Sequence, residues 1–284
     1  MNLDKAMVDF MIIGAQKSAT TTLFDILKTH PQLVACKKKE PEFFSHTSNW
    51  DQKIEAYEAL YNKQEGQLAF EASTAYTAHP TYNRKIWEAL QHYNPSLKFI
   101  YIVRDPLERI KSAHRFLYRQ GYASDKNINT FMHSSAYHTN LSKYYYQIKP
   151  YIDLFGADQV KIVLFEDFVK SQETTVNELL RFLNVSDFNE FTPLKSNTKG
   201  RKLVMKTGFG PLAKLFLKVK SYLPYRVSKV LENQLMYRKI VAEDLEFTPE
   251  SLLQLEKDLL PDILKFEKLI NRDLSHWKRN LNNV

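Results

Sequence analysis

Val8-Asp-Phe-Met-Ile-Ile-Gly14-Ala-Gln16-Lys17-Ser18-Ala19-Thr20-Thr21-Thr22 is the stretch that decides the fold. An apolar run of strand length ends at a glycine. A short loop then carries one lysine, and hydroxyl residues open a helical segment, Thr20 to Lys28, that stops before Pro31. A strand that turns tightly into a helix start makes an anion site. The first helical turn has N–H groups without partners and the positive end of the helix dipole. Ser18, Thr20, Thr21 and Thr22 add hydroxyls, and Lys17 adds a point charge. A nucleotide triphosphatase loop would read G-x-x-x-x-G-K-[ST]. Here Lys17 follows Gly14 by three residues and no Gly-Lys pair comes after it, so the magnesium-holding position of that loop is not specified.

Leu97-Lys-Phe-Ile-Tyr-Ile-Val103 is the clearest strand. It ends at Arg104-Asp105-Pro106, and Leu107 to Arg119 continues as a helix. Arg104 therefore stands at the carboxyl end of a strand, where open α/β sheets place ligands. A guanidinium there can fork onto a phosphate, with the Ser112 hydroxyl two turns along the helix beside it.

Further strands are expected at Leu33–Cys36, Gln67–Phe70 and Val160–Phe165. Helices are expected at Ile54–Tyr61, Tyr82–Tyr93, Leu141–Phe155 and Thr174–Phe182, and a loop at Lys37–His46. Strands alternating with helices predict a parallel sheet covered on both faces. Near the end, Thr248-Pro249-Glu250 reads as an N-cap with proline at the first helical position. That helix is expected to run toward Leu260, with Pro261 forcing a break or kink before Asp262–Ile270.

The spacing of Gly14 to Thr22 resembles the 5′-phosphosulfate loop, G-x-x-K-[ST]-G-T-[TS], of sulfotransferases that use 3′-phosphoadenosine 5′-phosphosulfate (PAPS). Ala19 stands where that family usually has glycine; if the backbone there has positive φ, alanine costs about 1 kcal/mol. Arg104-Asp-Pro with Ser112 eight residues on resembles the family's 3′-phosphate segment. Lys37-Lys-Lys39-Glu40-Pro41-Glu42-Phe-Phe-Ser45 resembles the Lys-Glu-Pro-x-Phe-Phe stretch of the heparan sulfate and carbohydrate type, where the glutamate is the general base. Enzymes acting on the glucosamine 3-hydroxyl have His at the position of Glu42 and Asp at that of Ser45, so their acceptor is not carried over. Glu71-Ala-Ser73-Thr-Ala-Tyr76 resembles an acceptor-side segment that in several glycan enzymes has Lys where Ala72 stands. Lys199-Gly200-Arg201-Lys202 resembles a basic loop that closes on the 3′-phosphate, and Phe266 to Trp277 resembles the end of the domain.

The resemblance implies an α/β, P-loop-like three-layer fold with a central parallel sheet and a helical C-terminal part. Residues 1–284 would form a single domain, with its core at 8–205 and a basic, mostly helical part at 206–284. It implies PAPS as co-substrate. Gly14, Gln16, Lys17, Ser18, Ala19, Thr20, Thr21 and Thr22 would hold the phosphosulfate. Arg104, Ser112, Lys199, Gly200, Arg201 and Lys202 would hold the 3′-phosphate. Glu40 would take the acceptor proton and Lys17 would stabilise the leaving oxygen. Lys39, Glu42, Glu71, Ser73 and Tyr76 would face the acceptor, for which a saccharide is the first expectation.

Composition limits the alternatives. Cys36 is the only cysteine, so an internal disulfide and a cysteine-based zinc site are excluded. No histidine pair has metal-ligand spacing with a third ligand nearby, and no metal is expected. No G-x-S-x-G elbow exists for a hydrolase triad. The first residues lack a secretory pattern and no apolar run reaches the ~18 residues that span a bilayer, so a cytoplasmic location is expected. The net charge is +8, and residues 199–239 hold eleven basic residues against the single acid Glu232, so that segment carries +10 and the rest sums to −2. Such a block predicts an anionic partner, such as an acidic polysaccharide or the inner membrane face. Lys214, Lys218 and Lys220 alternate with apolar residues in a stretch suited to anionic lipid. Two rival readings are a P-loop phosphotransferase, with Glu166-Asp167 after a strand imitating a Walker-B acid, and a non-catalytic binder of anionic surfaces.

Overall fold

The computed structural model describes residues 8–82, 85–134, 136–194 and 243–282, with isolated positions at 215, 219, 223 and 227. Its five strands are β1 (Phe10–Gly14), β2 (Leu33–Ala35), β3 (Leu68–Ala72), β4 (Lys98–Val103) and β5 (Val160–Leu164). The helices, in chain order, are α1 (Thr20–Leu27), α2 (Phe43–His46), α3 (Ile54–Glu58), α4 (Ile86–Tyr93), α5 (Pro106–Gln120), α6 (Ile128–Ser134), α7 (Tyr137–Leu141), α8 (Tyr144–Phe155), α9 (Phe165–Lys170), α10 (Gln172–Leu183), α11 (Pro249–Ile270) and α12 (Ser275–Asn282).

The sheet is parallel throughout, in the order β2-β3-β1-β4-β5. Side chains alternate across it, as pleated strands require. Phe10, Ile12, Ile100 and Ile102 join Leu23, Phe24, Val176 and Leu180, so α1 and α10 cover one face. Met11, Ile13, Phe99, Tyr101 and Val103 join Leu90, Ile148, Tyr151 and Phe266, so α4, α8 and α11 cover the other. This is the expected three-layer α/β architecture, and burial on both faces is why β1 and β4 read as unbroken apolar runs.

From β1 the chain passes first to β2 and then back to β3 on one side, and later to β4 and β5 on the other. The order therefore reverses between β1 and β4. Loops leaving their carboxyl ends diverge there and leave a crevice, the usual ligand position in open α/β sheets. Gly14 to Ala19 and Arg104 emerge at that point.

Several local expectations are corrected. The stretch Lys37–His46 is not all loop, since Phe43–His46 forms a helical turn with Phe44 fully buried. β3 runs past Phe70 because Met11 and Ile12 of β1 pair with Glu71 and Ala72. Leu141–Phe155 is not one helix: it divides at Ser142 and Lys143, where the Ser142 hydroxyl accepts a hydrogen bond from Arg109 Nε. Pro261 does not break α11, which runs unbroken from Pro249 to Ile270 behind the expected Thr248 cap. Asp262 accepts the amide hydrogens of Tyr145 and Tyr146 at 2.9 Å each, and Leu259, Ile263 and Phe266 are buried. Burial at about 1.5–3 kcal/mol per large side chain outweighs the roughly 3 kcal/mol cost of an internal proline. Phe266 and Trp277 stack in parallel inside this layer, which makes the C-terminal pattern a packing feature.

Candidate active site

At the end of β1, Gly14 lies so close to its neighbour that a Cβ there would stand 2.1 Å from Thr77 Oγ1. Thr77 in turn donates to the Ile13 carbonyl, fixing where the loop departs. Ala15 N donates to Ile102 O, tying the loop to β4. Lys17 and Ala19 both have left-handed backbone, with φ of 70° and 69°. Each such residue costs about 1–2 kcal/mol, a strain typical of ligand-holding loops. Ala19 is the N-cap of α1 and provides no side-chain cap, and the first turn contains no acid. The opening N–H groups of α1 are thus left for a ligand.

α5 starts differently. Asp105 caps it by accepting Glu108 N at 3.0 Å, and Pro106 takes the first position. Arg104 immediately precedes this cap. Its guanidinium lies 4.7 Å from the Phe165 ring centroid and donates to Glu108 at 3.2 Å. Tyr144 donates to the Arg104 carbonyl at 2.6 Å. Glu166, the apparent Walker-B acid, accepts Asp105 N at 3.0 Å, and Asp167 pairs with Arg272. Both therefore serve structural partners.

Gln16, Lys17, Ala19, Thr20, Thr21, Thr22, Lys39, Glu40, Arg104 and Ser112 all line one cavity of about 370 Å³. Thr74, Phe116 and Phe165 complete its wall. These three carry no short-range signal, since tertiary packing alone brings them to the loop. Burial pulls the Lys17 ammonium down to about 8; Glu40 opposes that fall, while the positive charges of Arg104, Lys39 and Arg109 add to it. The Lys17 ammonium sits 4.0 Å from the Phe116 ring centroid. Lys39 Nζ lies 3.0 Å from Glu40 Oε1. A cationic, hydroxyl-lined pocket at a helix start fits a phosphate or sulfate ester, and a carboxylate lies on the same wall.

Other residues singled out in the sequence stand behind that wall. Ser18 is fully buried, and its Oγ makes no hydrogen bond among the described residues. Glu71, Ser73 and Tyr76 are also buried, beneath the Glu40 segment. Glu71 accepts from Tyr57 at 2.5 Å, Ser73 at 2.5 Å and Tyr76 at 2.9 Å. Ser73 Oγ and Tyr76 OH then accept the amide hydrogens of Glu42 and Phe44. Burial raises the Glu71 carboxyl to about 6, against the pull of those hydrogen bonds. Glu40 N donates to the Ala72 carbonyl at 3.1 Å, and Glu40 and Glu42 both have left-handed backbone, at φ 54° and 52°. Glu42 Oε2 lies 3.0 Å from His46 Nε2. Lys199, Gly200, Arg201 and Lys202, with most of the 199–239 basic block, lie outside the described residues.

A larger depression of about 830 Å³ lies between α4, α8 and α11. Its lining contains none of the residues that directly follow β1 or β4 and includes the acids Glu88, Asp153, Asp258 and Asp262, so the lining of the smaller cavity suits an anion better. Among the described residues no cluster of three metal-ligating side chains occurs and no helix is long and apolar enough to cross a membrane.

Fold and site together define a P-loop-like α/β fold with a cationic, hydroxyl-lined cavity at the switch point of its sheet. The sulfotransferase family model matches residues 9–190, well over half of the chain, and the chain belongs to the sulfotransferase family. Membrane-associated sulfotransferase kil1 of Dictyostelium discoideum is 34% identical over 113 residues, which are 38% of this chain and 22% of that protein. Heparan sulfate glucosamine 3-O-sulfotransferase 5 of Homo sapiens is 31% identical over 100 residues, 35% of this chain and 28% of that protein. The chain thus spans about a quarter of the length of these curated relatives. Among solved structures, a sulfotransferase from Alicyclobacillus acidocaldarius superposes with a TM-score of 0.65 at 24% identity, covering 95% of this chain and 98% of that one. A mouse sulfotransferase complexed with 3′-phosphoadenosine 5′-phosphate (PAP) has a TM-score of 0.50 at 14% identity, with 92% and 85% covered. Both likenesses concern the fold.

Proposed function

We propose that this chain acts as a single domain that transfers a sulfuryl group from PAPS to an acceptor hydroxyl, releasing PAP. The observation that carries this reading is that Lys17, Arg104 and Glu40, which follow three different strands, line one cavity at the open start of α1. PAPS supplies the sulfur electrophile; the chain supplies position and charge. The first N–H groups of α1, with Thr20, Thr21 and Thr22, hold the phosphosulfate. Arg104 and Ser112 hold the 3′-phosphate, with Arg201 and its basic neighbours joining them. Glu40 accepts the proton of the acceptor hydroxyl, and Lys17 stabilises the negative charge left on the departing oxygen. Lys39 orients Glu40 through their ion pair.

The acceptor is read as a saccharide or glycoconjugate. The Lys39-Glu40-Pro41 stretch and the partial identity to a heparan sulfate enzyme support this. Residues 199–239 would contact an acidic polysaccharide or an anionic membrane surface from the cytoplasmic side, and kil1 is itself described as membrane-associated. The test is conversion of PAPS to PAP with unsulfated heparosan, with a simple phenol and with no acceptor. Faster conversion with heparosan, lowered roughly 10²–10³-fold in Lys17→Ala, supports the reading. Conversion with phenol alone contradicts the glycan acceptor, and no conversion with any acceptor counts against the transfer itself.

A further inference from the structure

Arg109 lies within the Arg104–Ser112 segment, yet it does not reach the cavity wall. It is fully buried. Nε donates to Ser142 Oγ and Nη2 to the His138 carbonyl, both at 2.6 Å, while Nη1 has no hydrogen-bond partner among the described residues. Among the described residues it forms no ion pair. The groups facing it are the phenols of Tyr101 on β4, Tyr137 on α7 and Tyr144 on α8, together with the like charge of Arg104. Neutral acceptors satisfy some of its hydrogen bonds and cancel none of its charge. An uncompensated buried cation is among the costliest arrangements in a protein interior. A group of this kind requires an explanation.

Its position offers one. Arg109, Ser112 and Phe116 share one face of α5 at helical spacing, and the latter two line the cavity. The charge of Arg109 also bears on the Lys17 ammonium. We propose that Arg109 is an electrostatic positioning residue: a fixed charge behind the cavity whose counter-charge is the bound polyanionic co-substrate. The hydrogen bonds to His138 and Ser142 keep it from swinging out to solvent, so its field stays directed at the site. This rests on the PAPS reading above.

The experiment is calorimetric titration with PAP at several salt concentrations, using the full chain as wild type, Arg109→Lys, Arg109→Met and Ser142→Asp. Arg109→Met is expected to weaken PAP binding at least about fivefold and to flatten its salt dependence, and Arg109→Lys to retain most of both. Ser142→Asp keeps the arginine and supplies a carboxylate against Nε. It is expected to raise the melting temperature of the free protein while weakening PAP binding by a similar factor. A merely structural arginine would not give opposite effects. Ser142→Asp with wild-type affinity would overturn the proposal even if Arg109→Met failed to fold. Folded Arg109→Met with wild-type affinity and salt dependence would do the same. A wild type that binds no PAP would sink the PAPS reading and this inference with it.

Discussion

Lys17 Nζ stands 4.0 Å from the centroid of the Phe116 ring, which joins the loop after β1 to the third turn of α5. The contact fixes a lysine that has already lost most of its hydration. Lys17→Ala is expected to lower turnover roughly 10²–10³-fold, the scale for removing one preorganised charge stabiliser. Phe116→Leu keeps the apolar wall but removes the ring, and is expected to cost only about two- to fivefold. Steady-state rates with saturating PAPS check both. Equal effects in the two variants would mean that the ring, rather than the ammonium charge, dominates.

Lys17 also sets a pH dependence. Its ammonium is pulled from an ordinary 10.5 to about 8, chiefly by burial. A bound polyanion favours the protonated form. PAP affinity is therefore expected to be full below pH 8 and to fall as pH rises through 8 toward 10, with proton uptake on binding across that range. Titrations in buffers of different ionisation enthalpy measure the uptake. In Lys17→Met that proton uptake should disappear.

Ala19 occupies left-handed backbone at φ 69°. Glycine adopts that conformation without strain, and so Ala19→Gly should gain about 1 kcal/mol locally. Part of this is offset because glycine leaves the unfolded chain freer, by about 0.4–1 kcal/mol. The net stability change is thus small, whereas Ala19→Val should be clearly destabilising. Chemical denaturation of the three proteins provides the check.

Glu71 is fully buried, and its carboxyl is raised from 4.5 to about 6. The folded state then holds a proton that the unfolded chain has released. Its contribution is full below pH 4.5 and is lost as pH rises through 6, amounting to about 2 kcal/mol. The stability difference between wild type and Glu71→Gln should shift by about that much over this window. Because Ser73 and Tyr76 relay Glu71 to the amides of Glu42 and Phe44, Glu71→Gln is also expected to speed hydrogen exchange at those two amides. Unchanged exchange there would deny Glu71 its role in holding the loop.

Glu40→Gln is expected to cost roughly 10²–10⁴ in turnover while leaving PAP affinity near that of the wild type, the pattern for loss of a general base. A variant with wild-type turnover would move the base to another carboxylate, with Glu42 the nearest in sequence.

Much of this site is legible in the chain because it is local. The Gly14–Thr22 loop and the Arg104–Ser112 segment each follow an apolar strand directly, and strand ends place ligands by geometry alone. The requirement for positive φ at Ala19 is readable from the glycine usual at that place in the resembled loop. Phe116, Phe165 and Thr74 are not legible, since they meet the cavity through packing between elements far apart in sequence. The sequence of Glu71, Ser73 and Tyr76 suggests a polar acceptor wall, but extended pairing of β3 with β1 carries Glu71 inside. Pro261 misleads for a similar reason: the Asp262 contacts with α8 and the burial of Phe266 override a local breaker.

The most direct measurement is calorimetric titration of the purified protein with PAP and with ADP, each with and without magnesium. The predicted result is PAP binding that needs no metal, exceeds that of ADP and is lost in Arg104→Ala. Failure to bind PAP, or a preference for magnesium-ADP, would contradict a PAPS site at the β1–β4 crevice.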